Sequence, residues 1–250
     1  MPDYHSDYEG MTTHFYVAPE SIHGPRMALP EAEARHAVRV LRMKVGDELI
    51  AVDGEGGWYR IELDHVGRSE AAGHIVERQA GVGEPPYRFT MAAGLIKHRD
   101  RFETLLEKAV ELGVTEIVPL ITARTEKARL REDRAENILI AAMKQCGRSR
   151  LPVLRKPTSI GELLERPFDL GLCCHEGTDA DAPLLDALAR DVRPDAITAL
   201  IGPEGGFTDA EVASARSAGF RVVSLGGRRL RAETAALAAA ACISGVYDAR

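Results

Sequence analysis

Two glycine-rich turns near the C-terminus, each directly after a short apolar run, constrain this chain more than any other feature. The turn GPEGG, residues 202–206, follows the apolar run 196–201, and GGRRLR, residues 226–231, follows the run 221–225. Such short, β-branched runs are typical of buried parallel strands. Open α/β sheets bind ligands at loops that leave the carboxyl ends of their strands. The segment therefore predicts a small-molecule site.

Helices are predicted after both turns. Thr208, followed three residues later by Glu211, forms a capping box, and Gly219 is suited to end the helix that starts there. An alanine-rich helix is predicted over 233–247. The glycines by themselves are also compatible with two ordinary strand-to-helix turns that bind no ligand. The carboxylate of Glu204 and the Arg-Arg-x-Arg run favour a binding site instead.

The composition describes a globular chain of one large or two small domains. Its 250 residues suffice for a hydrophobic core, and no apolar run approaches the ~20 residues of a membrane helix. The acidic, polar N-terminus is unlike a secretory signal. Four cysteines, two of them adjacent, fit neither a disulfide framework nor a metal site. We therefore expect a cytoplasmic protein with reduced thiols, no metal and no membrane partner.

Glycine spacing and hydrophobic periodicity predict two domains. Short strands between glycines predict a small antiparallel β-barrel over residues 13–80, after a disordered extension at residues 1–12. Residues 81–87 have the composition of a linker. Over residues 88–250 strands and helices alternate, which predicts an α/β domain with a parallel sheet.

Basic residues cluster, although the net charge is −6. A helix is predicted over 31–42, with Arg35, Arg39 and Arg42 aligned on one face. Aligned arginines without interleaved acids favour an anionic partner over a merely solvated face. Further cations stand where later elements are expected to end. The candidate RNA phosphate contacts are Arg35, His36, Arg39, Arg42, Lys97, Arg99, Arg101, Arg124 and Arg148.

The motifs IGPEGGFTDAE and LGGRRLRAETA, at this spacing, resemble the signature of the RsmE family of SPOUT-class methyltransferases. RHAVRVLRMKVGD, KAVELGVTEIVPL and KQCGRSRLP extend the resemblance over nearly the whole chain from residue 13. It implies methylation of N3 of a uridine in small-subunit (16S) ribosomal RNA, with S-adenosyl-L-methionine as cofactor. It also implies a PUA-like RNA-binding barrel, a methyltransferase domain tied in a trefoil knot, and a homodimer.

The expected reaction leads to candidate roles for individual residues. Arg231 is expected to stabilise negative charge that develops on a uracil oxygen. Glu204 or Glu233 is expected to accept the N3 proton, unless either one only orients Arg231. The residues expected to bind the cofactor are Glu176, Leu200, Ile201, Gly202, Gly206, Leu225, Gly226, Leu230, Thr234 and Ala235.

Two other functions remain open. A SPOUT methyltransferase could act on another RNA position, such as a tRNA ribose, although the barrel and the basic helix at 31–42 argue against it. A non-catalytic RNA-binding protein with a relic fold is disfavoured by the intact glycines and Arg231.

Small residues along the last predicted helix allow close packing. Ala236, Ala239, Ala240 and Ser244 share one stripe, which suits either a partner helix in a dimer or burial within the same subunit. Composition alone does not choose between these. The resemblance favours the dimer.

Overall fold

The computed structural model describes residues 13–126, 130–177, 180–189 and 193–248. The predicted extension at residues 1–12 lies outside these ranges. None of the helices in the described part of the chain combines the length and apolar character needed to cross a membrane.

The chain forms two compact units. The first unit contains the described residues up to Glu84 together with residues 140–151. The second contains residues 85–139 and the described residues from Pro152 onward.

The first unit is built on a six-stranded, mainly antiparallel sheet. Its strands are β1 (His14–Tyr16), β2 (Ile22–His23), β3 (Arg26–Ala28), β4 (Glu48–Val52), β5 (Gly57–Val66) and β6 (Ala71–Ala80). They are ordered β1-β4-β5-β6-β3-β2, and the β1–β4 pair is parallel. A short 3-10 helix covers Pro19–Ser21, and helix α1 covers Glu31–Arg35.

Alternating side chains of this sheet form the core of the first unit. Leu49 and Ala51 of β4 face the same way as Ile61 and Leu63 of β5, because alternate residues of a strand share one face. Phe15 completes this buried cluster.

Helix α1 ends in a π-helical turn, His36–Val40, rather than running on to Arg42. The backbone N–H of Leu41 donates to the carbonyl of His36 at 3.1 Å, and Arg42 then takes the left-handed conformation, with φ of 58°. The predicted alignment of three arginines on one helix face is therefore wrong for Arg42, which lies beyond the helix.

Residues 140–151 belong to the first unit through buried polar contacts. Lys144 pairs with Glu33. The guanidinium of Arg148 pairs with the carboxylate of Glu84 at 2.7 Å, and the two side chains are only 3% and 9% exposed. Oε1 of Glu84 also accepts the backbone N–H of Arg150 at 2.8 Å. Removing one partner of such a buried pair typically costs about 3–5 kcal/mol.

The second unit contains a parallel sheet flanked by helices. Its strands are β7 (Arg88–Gly94), β8 (Glu116–Ile121), β9 (Val153–Leu154), β10 (Thr158–Ser159), β11 (Leu170–Cys174), β12 (Ala182–Pro183), β13 (Ala196–Ile201) and β14 (Arg221–Ser224). They run in the order β10-β8-β7-β13-β11-β14-β12, with β9 beside β8, and every pair is parallel. The predicted parallel α/β sheet is confirmed.

Six further helices follow in chain order. They are α2 (Arg99–Glu111), α3 (Glu132–Cys146), α4 (Ile160–Leu164), α5 (Leu184–Leu188), α6 (Asp209–Ser217) and α7 (Ala232–Tyr247). Helix α6 begins with the predicted capping box, in which Thr208 and Glu211 bond reciprocally to each other's backbone N–H groups.

Helix α7 buries the three alanines of its small-residue stripe within its own chain, whereas Ser244 is partly exposed. Ala236, Ala239 and Ala240 are fully buried, and α7 contacts α2, α5 and β7. This face is therefore not available to a second subunit. Of the two alternatives for the stripe, burial within the same subunit is the one that applies to these alanines. The opposite face includes the exposed residues Ala241 and Gly245.

Candidate active site

Three loops of the second unit leave one edge of its sheet together. Strands β13, β11 and β14 are neighbours, and Cys174 at the end of β11 lies opposite both Ile201 and Val223. Because all three strands are parallel, the segments that follow them emerge at the same edge. The two glycine-rich turns and the loop after β11 therefore surround one site.

These loops enclose a cavity of about 340 Å³. Arg231 and Glu204, two of the three proposed catalytic residues, line it. Leu200 is instead fully buried in the hydrophobic core, and Thr234 and Glu233 are not among the lining residues. The predicted cofactor residues that line the cavity are Glu176, Ile201, Gly202, Gly206, Leu225, Gly226, Leu230 and Ala235.

The first glycine-rich loop folds back on itself so tightly that glycine is required. A Cβ on Gly202 would lie 2.9 Å from the backbone of Gly206, and Gly206 itself has φ of 68°. A Cβ on Gly206 would meet no atom within 4 Å. The loop therefore presents bare backbone to open space inside the cavity.

Two contacts from outside the loop hold its shape. Nη1 of Arg124 donates to the carbonyl of Gly205 at 2.7 Å and to that of Phe207 at 3.1 Å. The backbone N–H of Lys97 donates to Oε1 of Glu204 at 3.0 Å. The loop is thus fixed without help from a ligand, as a preorganised site requires.

The proposed catalytic carboxylates differ in their surroundings. Glu204 is exposed and lines the cavity. The Glu233 side chain is only 14% exposed, and its Oε1 lies 3.8 Å from Nε of Arg101. Its Oε2 is buried and has no hydrogen-bond partner among the described residues. Only Glu204 therefore combines accessibility with a position on the cavity wall.

Cations outnumber acids in the cavity lining. Arg231 is exposed at the N-cap of α7. Nε of Arg229 lies 3.4 Å from Oε2 of Glu176, but these side chains are 76% and 55% exposed, so the pair is weak. The arginines that line the cavity are Arg101, Arg124, Arg228, Arg229 and Arg231. This charge suits an anionic ligand or a developing oxyanion.

Cys174 also lines the cavity, as a buried thiol. Burial raises the pKa of Cys174 well above its usual range, and the neighbouring Cys173 and Cys242 act in the same direction. Because the thiolate is the nucleophile, a thiol held in this state resists alkylation.

The predicted RNA contacts are spread over both units. Arg39, Arg42 and Arg99 are exposed. Arg35 lies 3.8 Å from Glu31, and Lys97 lies 2.8 Å from Glu126.

Four of the predicted RNA contacts are not freely exposed cations on the surface. They are Arg148, Arg101, Arg124 and His36. Arg148 is buried against Glu84, so it is not available to a phosphate and does not belong to the RNA surface. Arg101 and Arg124 line the cavity. His36 is only partly exposed, and its ring centroid lies 6.1 Å from that of Phe15.

Sequence reasoning missed part of the lining. Phe207 and Ala232 carry no recognisable chemical signal, whereas Arg228 and Arg229 belong to the arginine run that the sequence already favoured as part of a binding site. The lining residues without a predicted role in cofactor binding, catalysis or RNA contact are Cys174, Pro203, Gly205, Phe207 and Ala232. Within the described ranges, no group of three or more His, Cys, Asp or Glu side chains is placed to hold a metal ion.

Both units match domain families of RNA-modifying enzymes. The family model of an RNA methyltransferase domain matches residues 83–244, and that of an RNA methyltransferase PUA domain matches residues 29–76. Fold and site thus define an RNA methyltransferase with a PUA domain. More particularly, the chain belongs to the ribosomal RNA small subunit methyltransferase E family. The expected SPOUT-type fold class is confirmed.

The family assignment rests on close relatives. The ribosomal RNA small subunit methyltransferase E of Synechocystis is 34% identical, over 95% of this chain and 79% of that one. The crystal structure of a probable rRNA methyltransferase from Porphyromonas gingivalis has a TM-score of 0.84 at 34% identity, covering 94% of this chain and 98% of that one. A Neisseria gonorrhoeae ribosomal RNA small subunit methyltransferase E bound to S-adenosyl methionine has a TM-score of 0.79 at 30% identity, covering 94% and 98%.

Proposed function

We propose that this protein transfers a methyl group from S-adenosyl-L-methionine to N3 of a uridine in small-subunit ribosomal RNA, in the cytoplasm. The observation that carries the proposal is the convergence of two bare-backbone glycine loops and Arg231 on one cavity. The relatives support the substrate class, and the Neisseria structure supports the cofactor. The N3 position rests on the family resemblance.

The cavity fits the cofactor. Positions Gly206 and Gly226 have positive φ, and a Cβ on either would meet no atom within 4 Å, so a ligand can approach the backbone there. Backbone groups of Ile201, Gly202 and Leu225 would hold the adenosine portion. When bound, the sulfonium supplies an activated methyl group. The protein's contribution to such a displacement is mainly the positioning of the reactants.

The remaining chemistry is removal of the weakly acidic N3 proton. We assign this step to Glu204, because it lines the cavity and is accessible, while Oε1 is oriented by the Lys97 N–H at 3.0 Å. As the proton leaves, negative charge moves onto the uracil oxygens, where Arg231 would stabilise it. Glu233 then serves to position Arg101, 3.8 Å away.

Two structural features belong to the same proposal. We expect a homodimer, formed through the α7 face that includes Ala241 and Gly245, since the stripe with Ala236 is buried within the chain. We also expect the trefoil knot that the family resemblance implies.

Methylation of small-subunit RNA from a strain that lacks this gene tests the proposal. The purified protein and S-adenosyl-L-methionine should add one methyl group to a uridine base, and mass spectrometry of nuclease fragments would locate it. Glu204→Gln should lower kcat by about 100-fold with unchanged cofactor affinity, whereas Glu233→Gln should cost less. Methylation of a ribose, or no transfer at all, would overturn the proposal. A larger loss for Glu233→Gln would reassign the proton acceptor.

A further inference from the structure

A small apolar patch projects from the first unit where the π-helical turn ends. Val40, Leu41 and Val45 are 64%, 42% and 62% exposed. Among the described residues seven large hydrophobic side chains are exposed, and three of them fall within this short segment. We call residues 39–45 the tip. Scattered exposed aliphatics need no explanation, but a cluster of them does.

Backbone hydrogen bonds anchor the tip in this exposed form. The backbone N–H of Met43 donates to the carbonyl of Ala37 at 3.0 Å, and that of Gly46 donates to Leu63 at 2.8 Å. Met43 is turned inward and packs on the core of the unit. The apolar side chains of the tip are therefore presented outward by a closed and anchored loop.

The tip also contains strained backbone. Arg42 is the one non-glycine residue with positive φ in the described part of the chain. It stands just after the end of a helix, where glycine is the usual residue. A side chain kept in a disfavoured conformation points to a function for that side chain. The π-helical turn before it is a second irregularity of the kind found at functional sites.

The charge of the tip defines the class of its partner. Arg39, Arg42 and Lys44 are exposed, and residues 39–45 include no acid. Asp47, the nearest acid along the chain, accepts the backbone N–H of Lys44 at 2.8 Å. The partner must therefore be anionic and must also offer an apolar surface.

Within RNA, only one kind of structure offers both. The grooves of an A-form duplex display hydroxyls, base edges and phosphates, so aliphatic side chains find no apolar surface there. The apolar faces of the bases become accessible only where stacking is interrupted, in loops, bulges and ends. A second copy of the tip fits less well, because two tips facing each other would oppose three cations with three cations.

We propose that the tip binds an unpaired, unstacked nucleotide of the RNA substrate. Val40, Leu41 and Val45 contact the base, and Arg39, Arg42 and Lys44 contact the flanking phosphates. The tip therefore selects RNA with a loop or bulge over continuous duplex. This inference rests on the proposed function, since it names the form of RNA that the enzyme accepts.

Two RNA probes and two variants test the inference. The probes are a hairpin with a uridine-containing loop that also carries 2-aminopurine, and a blunt duplex with the sequence of its stem. Val40→Ser combined with Val45→Ser removes apolar surface without removing a cation. Val76→Ser is the matched control, because Val76 is 44% exposed on strand β6 of the same unit.

The wild-type protein should bind the hairpin more tightly than the duplex and should raise the 2-aminopurine fluorescence. The double variant should lose about fivefold in hairpin affinity, with an unchanged salt slope, unchanged duplex affinity and no fluorescence rise. The control should match the wild type. Equal losses on both RNAs, equal losses in the control, or a change of oligomeric state in the double variant would overturn the inference.

Failure of this inference is distinguishable from failure of the proposed function. A wild-type protein that methylates small-subunit RNA but binds hairpin and duplex equally contradicts only the role of the tip. A protein that transfers no methyl group but still discriminates between the probes contradicts only the proposed function.

Discussion

Nη1 of Arg124 donates to the backbone carbonyl of Gly205 at 2.7 Å, and the same nitrogen reaches the carbonyl of Phe207 at 3.1 Å. A residue that the sequence suggested as a phosphate contact thus holds the backbone of the first glycine-rich loop. Because charge-assisted hydrogen bonds are stronger than neutral ones, this single side chain fixes the direction of the loop.

Arg124→Ala is expected to weaken S-adenosyl-L-methionine binding by about tenfold, because the loop loses charge-assisted hydrogen bonds that preorganise it. Isothermal calorimetry measures the change. Arg216→Ala is the control, since Arg216 forms a charge-assisted contact with Asp181 at 3.0 Å in the same unit but does not line the cavity. Equal affinities for wild type and the Arg124 variant would mean that the loop keeps its shape unaided.

Gly206→Val is expected to abolish cofactor binding and also to lower the free energy of unfolding by about 1–3 kcal/mol. The side chain would enter open cavity space, while φ of 68° strains any residue other than glycine. Gly219→Val separates the two effects, because Gly219 has φ of 92° at the end of α6, outside the cavity lining. That variant should lose stability but bind the cofactor. If both variants bind it normally, the cofactor lies elsewhere.

Ala241→Arg is expected to convert the proposed dimer into a monomer, because a long cation would stand on the exposed face of α7. Light scattering at working concentration measures the mass. The exposed Ala213 of α6 supplies the control, and Ala213→Arg should stay dimeric. A wild-type protein that is itself monomeric would rule out the dimer.

Glu116 gives a pH-dependent stability with a defined sign. Burial alone would raise the pKa of Glu116, but hydrogen bonds from Arg166, Arg155 and Thr90 outweigh it and hold the pKa below the usual 4.5. Because the pKa is lowered in the folded protein, the stabilisation is present above pH 4.5 and is lost as the pH falls through the folded value.

Glu116→Gln is therefore expected to lower the free energy of unfolding by roughly 1–2 kcal/mol at neutral pH, a value reduced for the partial exposure of its arginine partners. The difference from wild type should shrink as the pH falls below 4.5. Urea unfolding over a pH series measures it. A difference that does not change with pH would show that packing, not charge, accounts for the loss.

Arg42→Gly is expected to raise the free energy of unfolding by up to about 1 kcal/mol, because glycine adopts φ of 58° without strain. Arg39→Gly, inside the π-helical turn, should lower it by about 1 kcal/mol. Thermal unfolding of the two variants and the wild type measures these differences in stability. Both variants should reduce the log–log salt slope of RNA binding by roughly 0.7–0.9. An unchanged slope would show that these cations do not contact phosphate.

The central strands and helix ends follow local rules, so the sequence predicted them closely. Strand β13 has the predicted bounds, 196–201, because polar residues on both sides of the apolar run mark where the strand begins and ends. The capping box at Thr208 places the start of α6, and Gly113 and Gly147 follow α2 and α3 with φ of 76° and 75°.

The partners of the arginines could not be predicted, because they are distant in sequence. Arg148 and Glu84 are 64 residues apart, and Arg124 and Gly205 are 81 apart. A cation that binds a carboxylate or a carbonyl has the same local sequence as one that binds a phosphate. The left-handed backbone conformation of Arg42 could not be predicted either. The helical pattern of the sequence continues to Arg42, although the helix in the structure ends before it.

The buried pair of Arg148 and Glu84 has a consequence for the order of synthesis. Glu84 leaves the ribosome 64 residues before Arg148. Its carboxylate therefore stays unpaired and solvated while the intervening chain is synthesised. The part of the first unit up to Glu84 therefore cannot form this buried pair by itself, because the unit's second segment, residues 140–151, is translated later. Halting translation before residue 148 should leave a nascent chain that proteases still cut within the strands of that unit.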